Sequence, residues 1–260
     1  MKPLKIGILL DPARPLMDYE AHIFSDLLND TRYEVLCTIK DGRKATRKLP
    51  IIEKYKGVKL TGTLLTSLVF LVLDFLENWL LKKKGTTSFD KTEVAAKIAT
   101  LPCIELFPQR KDLSDVFSRE DCAKIGKLNF DVLLKHEFQT IKGEILNVPK
   151  YGIWSLQPGE NKDFRGSPGG FWEVYNNSSV TGVTLQLLGN ELNSNRIIAK
   201  GFYNTQNLWY INLENALDCS VDLLLKHLRL LYEEHAFETT TNGTYSNKNF
   251  QYPTFFQAFR

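Results

Sequence analysis

The run from Tyr151 to Glu173 reads YGIWSLQPGENKDFRGSPGGFWE, an apolar stretch that breaks into a loop dense in Gly, Pro and polar residues. Arg165 stands in it beside Gly166, Ser167 and Pro168. A guanidinium on such a loop can hold a phosphate or carboxylate through two parallel hydrogen bonds. A salt bridge that only steadies the loop is the equal alternative. Trp154, Phe164 and Trp172 crowd the same run. Their rings could stack on a sugar or a flat heterocycle, although burial in a core is the commoner fate of tryptophan. Metal chemistry has little to build on. Cys37, Cys103, Cys122 and Cys219 are widely spaced without C-x-x-C, and read as buried or free thiols in a reducing compartment. His22, His227 and His235 fall on helical stretches without ligand spacing.

The elements that must position this loop follow a strand–helix alternation. The continuous apolar run KIGILL from Lys5 reads as a buried parallel strand. Helical spacing follows (Leu16, Tyr19, Ile23, Leu27), then a second strand, YEVLCTI, from Tyr33. No G-x-G-x-x-G follows the first strand, which argues against a dinucleotide site. Further strands are expected at CIELF from Cys103 and at NFDVLLK from Asn129. Between them lies a helix with Ser118 as N-cap and Asp121 at the capping-box position. The stretch from Gly152 to Leu156 is then a strand whose C-terminal end opens into the loop, and a helix starts near Phe171. Loops at strand C-termini are where open α/β sheets place their sites. Two strands, from Gly182 and from Arg196, form a hairpin across Gly189 to Asn195. The fold class is therefore α/β, Rossmann-like with a mostly parallel sheet. Residues 1–205 form this domain, a helical insertion occupies residues 40–100, and residues 206–260 form a short helical extension.

The chain has 260 residues, 43% hydrophobic and 24% charged, with net charge +3, a balance too mild to imply nucleic acid. A basic stretch from Lys40 to Lys59 reads as a solvated insertion, with a phosphate-contacting edge as the minor alternative. LLTSLVFLVLDFLENWLL, Leu64 to Leu81, is the most apolar segment, and Lys82, Lys83 and Lys84 follow it. Asp74 and Glu77 leave its uncharged part at about ten residues, short of the ~20 that a membrane span needs. A helix packed on the core or a partner is expected. A helix lying on an anionic membrane surface stays open. The N-terminal apolar run is too short for a secretory signal. The expected location is cytoplasmic, with or without membrane association.

Four motifs carry a resemblance: Ser155-Leu156-Gln157-Pro158, Arg165-Gly166-Ser167-Pro168, Thr181-Gly182-Val183-Thr184 and Leu192-Asn193-Ser194-Asn195. Their order and spacing resemble those of the folate-dependent formyltransferases, which act on glycinamide ribonucleotide, methionyl-tRNA and sugar amines. Residues 129–203 carry the likeness; the first strands share it only in topology. A branch of the superfamily found in cell-surface glycan contexts, whose loop reads WSFHHGD…RGxPxGFWE, is more similar still. Trp154-Ser155, Gly159, Arg165-Gly166, Pro168 and Phe171-Trp172-Glu173 match it.

The resemblance implies transfer of a formyl group from 10-formyltetrahydrofolate to an amine, here of a sugar or sugar nucleotide. It places a pteridine-contacting tip at Phe138, Gln139, Thr140 and Ile141, and substrate contacts at Arg165, Gly166, Ser167 and Pro168. The family's catalytic Asn, His and Asp fall on Ser155, Gln157 and Asn193. Ser155 and Gln157 can still donate hydrogen bonds to an oxyanion. Neither moves a proton near neutral pH, and proton transfer contributes ~10²–10⁴ in rate. His136, at the tip of the adjacent strand, is the candidate substitute, and a packing histidine is the alternative. Glu160 and Asp163 are weaker candidates. Two functions follow: an enzyme with altered or weakened catalysis, or an inactive binding or accessory protein of glycan synthesis. The expected partner is a small molecule, not nucleic acid; a homodimer and a membrane contact through Leu64 to Lys84 stay open.

Overall fold

A computed structural model of the chain describes residues 1–43, 90–111, 114–158, 164–166, 168–190, 195–241, 249–250 and 253. The first apolar run forms strand β1 (Leu4–Leu9), buried on both faces except at Lys5. Helix α1 (Asp18–Asn29) returns the chain to β2 (Tyr33–Asp41), parallel to β1. Helix α2 (Lys91–Thr100) leads to β3 (Cys103–Leu106), parallel to β2 at the sheet edge. Two three-residue strands, β4 (Gln109–Lys111) and β5 (Ser114–Val116), come next. Helix α3 (Arg119–Gly126) opens on the expected capping box, with Ser118 accepting from the Asp121 N–H. Strand β6 (Val132–Lys135) runs parallel to β1 on its other side.

The chain after β6 forms two short elements. Thr140–Lys142 is a short strand, β7, parallel to β5, and Glu144–Asn147 is a single 3₁₀ turn. The stretch singled out in the sequence is β8 (Ile153–Pro158), parallel to β6. Its loop carries β9 (Arg165–Gly166), paired with β13 (Asn249–Phe250), and enters helix α4 (Phe171–Tyr175). The hairpin is β10 (Val180–Leu187) and β11 (Arg196–Asn204), antiparallel to each other, with β10 antiparallel to β8. Helix α5 (Trp209–Glu234) and the edge strand β12 (Thr240–Thr241) complete an eight-stranded sheet of order β12-β11-β10-β8-β6-β1-β2-β3.

Alternation along the strands sorts the core into two layers. Ile6, Ile8, Leu134, Trp154 and Leu185 face α1, α2 and α5. Leu9, Ile39, Leu133 and Ile153 face the other way, under α3, Phe117 and Ile141. β1 and β6 approach closely enough that a Cβ on Gly7 would lie 2.5 Å from Leu133 Cδ2. Within the expected C-terminal extension, helix α5 places Ala216, Val221, Leu224, Leu228 and Leu231 in the first layer. Each such leucine contributes about 2 kcal/mol by burial, so α5 is integral to the sheet's cover. The four cysteines are free thiols. No described helix is long and apolar enough to cross a membrane. The segment from Leu64 to Lys84, on which membrane contact was weighed, lies outside the described residues.

Candidate active site

The two families of chemistry-bearing residues separate by strand alternation. Ile153, Ser155 and Gln157 project from one face of β8, while Trp154 and Leu156 project from the other. Pairing extends the first set across the sheet: Ile39 beside Leu9, Leu9 beside Lys135, Lys135 beside Ser155, Ser155 beside Gln186. The row is apolar at its β2 end and polar where β6, β8 and β10 meet. Its polar end sits at the C-terminal ends of β6 and β8, where an α/β sheet opens towards its loops.

Side-chain amides fix this corner. Gln186 Nε2 donates to Gln157 Oε1 at 3.3 Å, and Asn195 Nδ2 donates to Gln186 Oε1 at 3.3 Å. The Gly189 N–H is held by Asn195 Oδ1 at 2.9 Å, so the hairpin turn closes onto β8. With its oxygen engaged, Gln157 is left with Nε2 as its donor. Ser155 is 8% exposed and its hydroxyl has no partner among the described residues. Thr184, paired with Gln157, has a buried Oγ1 without a hydrogen bond among the described residues. An amide donor and a hydroxyl on one strand end can stabilise negative charge developing on a carbonyl oxygen.

The neighbouring tip is built on Asp115, which is fully buried. Its carboxylate accepts from Arg43 Nη1 at 2.7 Å, Arg110 Nε at 3.1 Å and the Gln139 N–H at 2.8 Å. Burial would raise its pKa, but the Arg43 guanidinium and these donors hold it below the ordinary aspartate value. Phe138 has a positive φ of 68° and packs on Phe117 at 5.5 Å. Gln139 and Thr140 are exposed, whereas the Ile141 side chain is buried, so Ile141 can offer a ligand only its backbone. β7 pairs with β5 on one edge and has no strand on the other among the described residues. Such an edge suits a flat heterocycle with its own donors and acceptors, so the tip fits a pteridine in kind. The Gly143 N–H reaches Asn190 Oδ1 at 2.8 Å, which ties tip and hairpin turn together.

Lys135 is the residue that sequence reasoning passed over. It lies between Leu9 and Ser155, on the face of Leu133. Burial lowers its pKa from the ordinary lysine value, and the charge of Asp115 works in the opposite sense. It makes no ion pair with a described acid.

His136 is corrected from the sequence expectation. One residue past Lys135, its ring faces the opposite layer, against Phe24 at 5.0 Å and Tyr19 at 6.2 Å. Its Nδ1 lies 3.3 Å from Glu20 Oε1. Glu20 also takes Arg14 Nη1 and Nη2 at 2.9 and 2.6 Å and the Met17 N–H at 2.9 Å. Burial would raise the Glu20 pKa, but His136 and Arg14 outweigh it and hold it down to about 2. Arg14 Nε in turn meets Glu137 at 2.5 Å. Alternation carries His136 away from Ser155 and Gln157, so it is a packing histidine in a paired network.

The Arg165 loop is described through its backbone. Arg165 and Gly166 pair with β13, Pro168 is buried, and Ser167 and Asn193 lie outside the described residues. Gly170 takes φ 72° at the start of α4. Fully buried Asn212 donates to the Gly170 carbonyl at 2.8 Å and to Thr181 Oγ1 at 3.0 Å, and Trp209 Nε1 donates to the Gly169 carbonyl at 3.0 Å. Trp154 and Trp172 are 1% and 6% exposed, so both serve the core.

No protein-family model and no curated protein matches the sequence. Solved structures match its fold. Glycinamide ribonucleotide transformylase 1 from Symbiobacterium toebii is 12% identical with a TM-score of 0.57, over 93% of this chain and 95% of that one. A 4-N formyltransferase from Francisella tularensis is 12% identical with a TM-score of 0.52, over 96% and 76%. A formyltetrahydrofolate deformylase from Pseudomonas syringae pv. tomato is 12% identical with a TM-score of 0.55, over 93% and 66%. At this identity the agreement lies in architecture: the chain has the formyltransferase fold.

Proposed function

We propose that the corner formed by β6, β8 and the hairpin turn is a formyl-transfer site with altered catalysis. Its donor would be 10-formyltetrahydrofolate and its acceptor an amine of a sugar or sugar nucleotide. The observation that carries this reading is the shared face of Ser155 and Gln157 at the end of β8, with the Gln157 oxygen tied back by Gln186. Phe138, Gln139, Thr140 and the Ile141 backbone would hold the pteridine along the open edge of β7. The bound donor supplies a formyl carbon open to attack by an amine. Ser155 Oγ–H and Gln157 Nε2–H then donate to the formyl oxygen as charge builds on it, worth about 3 kcal/mol for a well-placed donor. Arg165, on its Gly–Pro loop, would take the acceptor's anionic group, and Asn193 would orient the acceptor amine.

Titration with 5-formyltetrahydrofolate by calorimetry tests the reading: saturable heat is expected, and none at high ligand concentration rejects it. The competing reading is a binding protein without transfer activity. It draws on the orientation of His136, which leaves that imidazole out of the corner. Formyl transfer by the wild-type chain would dismiss it. Transfer gained only in Gln157→His with Asn193→Asp would favour it.

A further inference from the structure

We propose that Lys135 is the catalytic base of this corner, accepting the proton that the acceptor amine loses on formylation. The inference rests on the formyl-transfer reading and deepens it. Neither Ser155 nor Gln157 can accept a proton near neutral pH, so the reaction needs another group on the same face. Lys135 is in register with Ser155 on the adjoining strand, and Gln186 flanks Ser155 on the far side. Adjacent strands are about 4.8 Å apart, and the four-carbon stem of lysine is long enough to bring Nζ over both Ser155 and Gln157.

Two features separate Lys135 from a structural lysine. The acid nearest in influence, Asp115, is already satisfied by Arg43, Arg110 and the Gln139 N–H, so Lys135 is not needed to neutralise it. The other carboxylate near the strand end, Glu137, is held by Arg14 and by the Asp11 N–H. Lys135 is half-buried, and partial burial without a counter-ion favours the neutral amine; a neutral lysine is a base.

The step balances without a further reactant. The acceptor nitrogen bonds to the formyl carbon, and the bond from that carbon to the carrier nitrogen breaks. The proton leaves the acceptor for Lys135 Nζ and passes on to the carrier nitrogen.

The test uses the full chain as wild type, Lys135→Met and Lys135→Arg. Calorimetry with 5-formyltetrahydrofolate comes first; failure of the wild type to bind rejects the formyl-transfer reading itself, before Lys135 enters. Transfer from 10-formyltetrahydrofolate to hydroxylamine, as a probe amine, is then followed across the neutral to alkaline range. Both variants should bind the analogue as the wild type does and lose about 100-fold or more in rate. Lys135→Arg fails because arginine keeps its proton. Independently of turnover, the pH dependence of Lys135 acetylation by acetic anhydride, read by mass spectrometry, should have a midpoint below that of Lys2. Analogue binding without transfer by the wild type, transfer surviving in either variant, or a Lys135 midpoint equal to that of Lys2 would overturn the proposal.

Discussion

Lys135 and His136 are neighbours in the chain, yet they belong to two regions with opposite electrostatic character. On the α1 side, Glu20, Arg14, His136 and Glu137 form a closed set in which each group meets a partner. On the α3 side, Lys135, Ser155 and Gln157 share a face in which the lysine meets no described acid and the serine hydroxyl no described partner. Both sit at the ends of the same parallel strands. Buried charge that is fully paired stabilises or specifies a fold. Polar groups held together but left unsatisfied cost stability, and they mark places where a ligand completes the set. The first region thus serves architecture, and the second is the one to which the proposed chemistry belongs.

The largest expected effect lies in the paired region. Glu20→Gln keeps the shape but leaves Arg14 and His136 facing a neutral amide, and should cost about 3 kcal/mol in urea unfolding. Affinity for 5-formyltetrahydrofolate should stay within about threefold of wild type in the folded fraction, because the network faces away from Ser155. A stability loss below about 1 kcal/mol would show that the network is not structural.

The pH dependence of the same pair of proteins sharpens the point. The Glu20 pKa is depressed from 4.5 to about 2 in the folded chain. A depressed carboxyl stabilises above its unfolded value and loses that contribution as pH falls through its folded value. The stability gap between wild type and Glu20→Gln should therefore be full at pH 5 and above, and close as pH falls from 4.5 towards about 2. A gap independent of pH in this window would mean that the carboxylate charge is not what the network uses.

The other region predicts a smaller effect of opposite sign. Lys135 has a lowered pKa, so the unfolded chain binds more protons than the folded one between the folded value and the ordinary lysine value. Below that window the charged, desolvated lysine costs stability. Lys135→Met should thus raise the melting temperature at neutral pH, even as it removes the proposed base. A variant less stable than wild type would place Lys135 with the structural residues.

Much of the scaffold was legible from periodicity and caps. The continuous apolar run of β1, the capping box at Ser118 and Asp121, and the hairpin of β10 and β11 across its Gly- and Asn-containing turn each carry a local signal that survives folding. β4, β5 and β7 did not, because three residues are too few to display a period. The candidate site was legible only along β8, where Ser155 and Gln157 stand two apart and so share a face. His136 was misplaced because a single step beyond β6 turns a side chain to the other face. Lys135 was missed because a lysine at the end of VLLK reads as the exposed end of a strand. Its half-buried position depends on β1 and β8, which pair with β6 from elsewhere in the chain.

The smallest effect tests whether the open face is organised or merely polar. Gln186 is 6% exposed and links Gln157 to Asn195. Gln186→Leu removes two long hydrogen bonds whose other partners are only partly buried, so water can replace much of what is lost. The expected stability cost is about 1 kcal/mol. The expected functional consequence is larger in proportion. Without the tie on its oxygen, the Gln157 amide can rotate, and Nε2 is no longer held as the outward donor. The rate of formyl transfer to hydroxylamine should fall by about tenfold, part of what a lost oxyanion donor costs, while analogue binding changes little. If rate and binding fall together, Gln186 supports the shape of the pocket. If the rate alone falls, the amide chain orients Gln157 for chemistry.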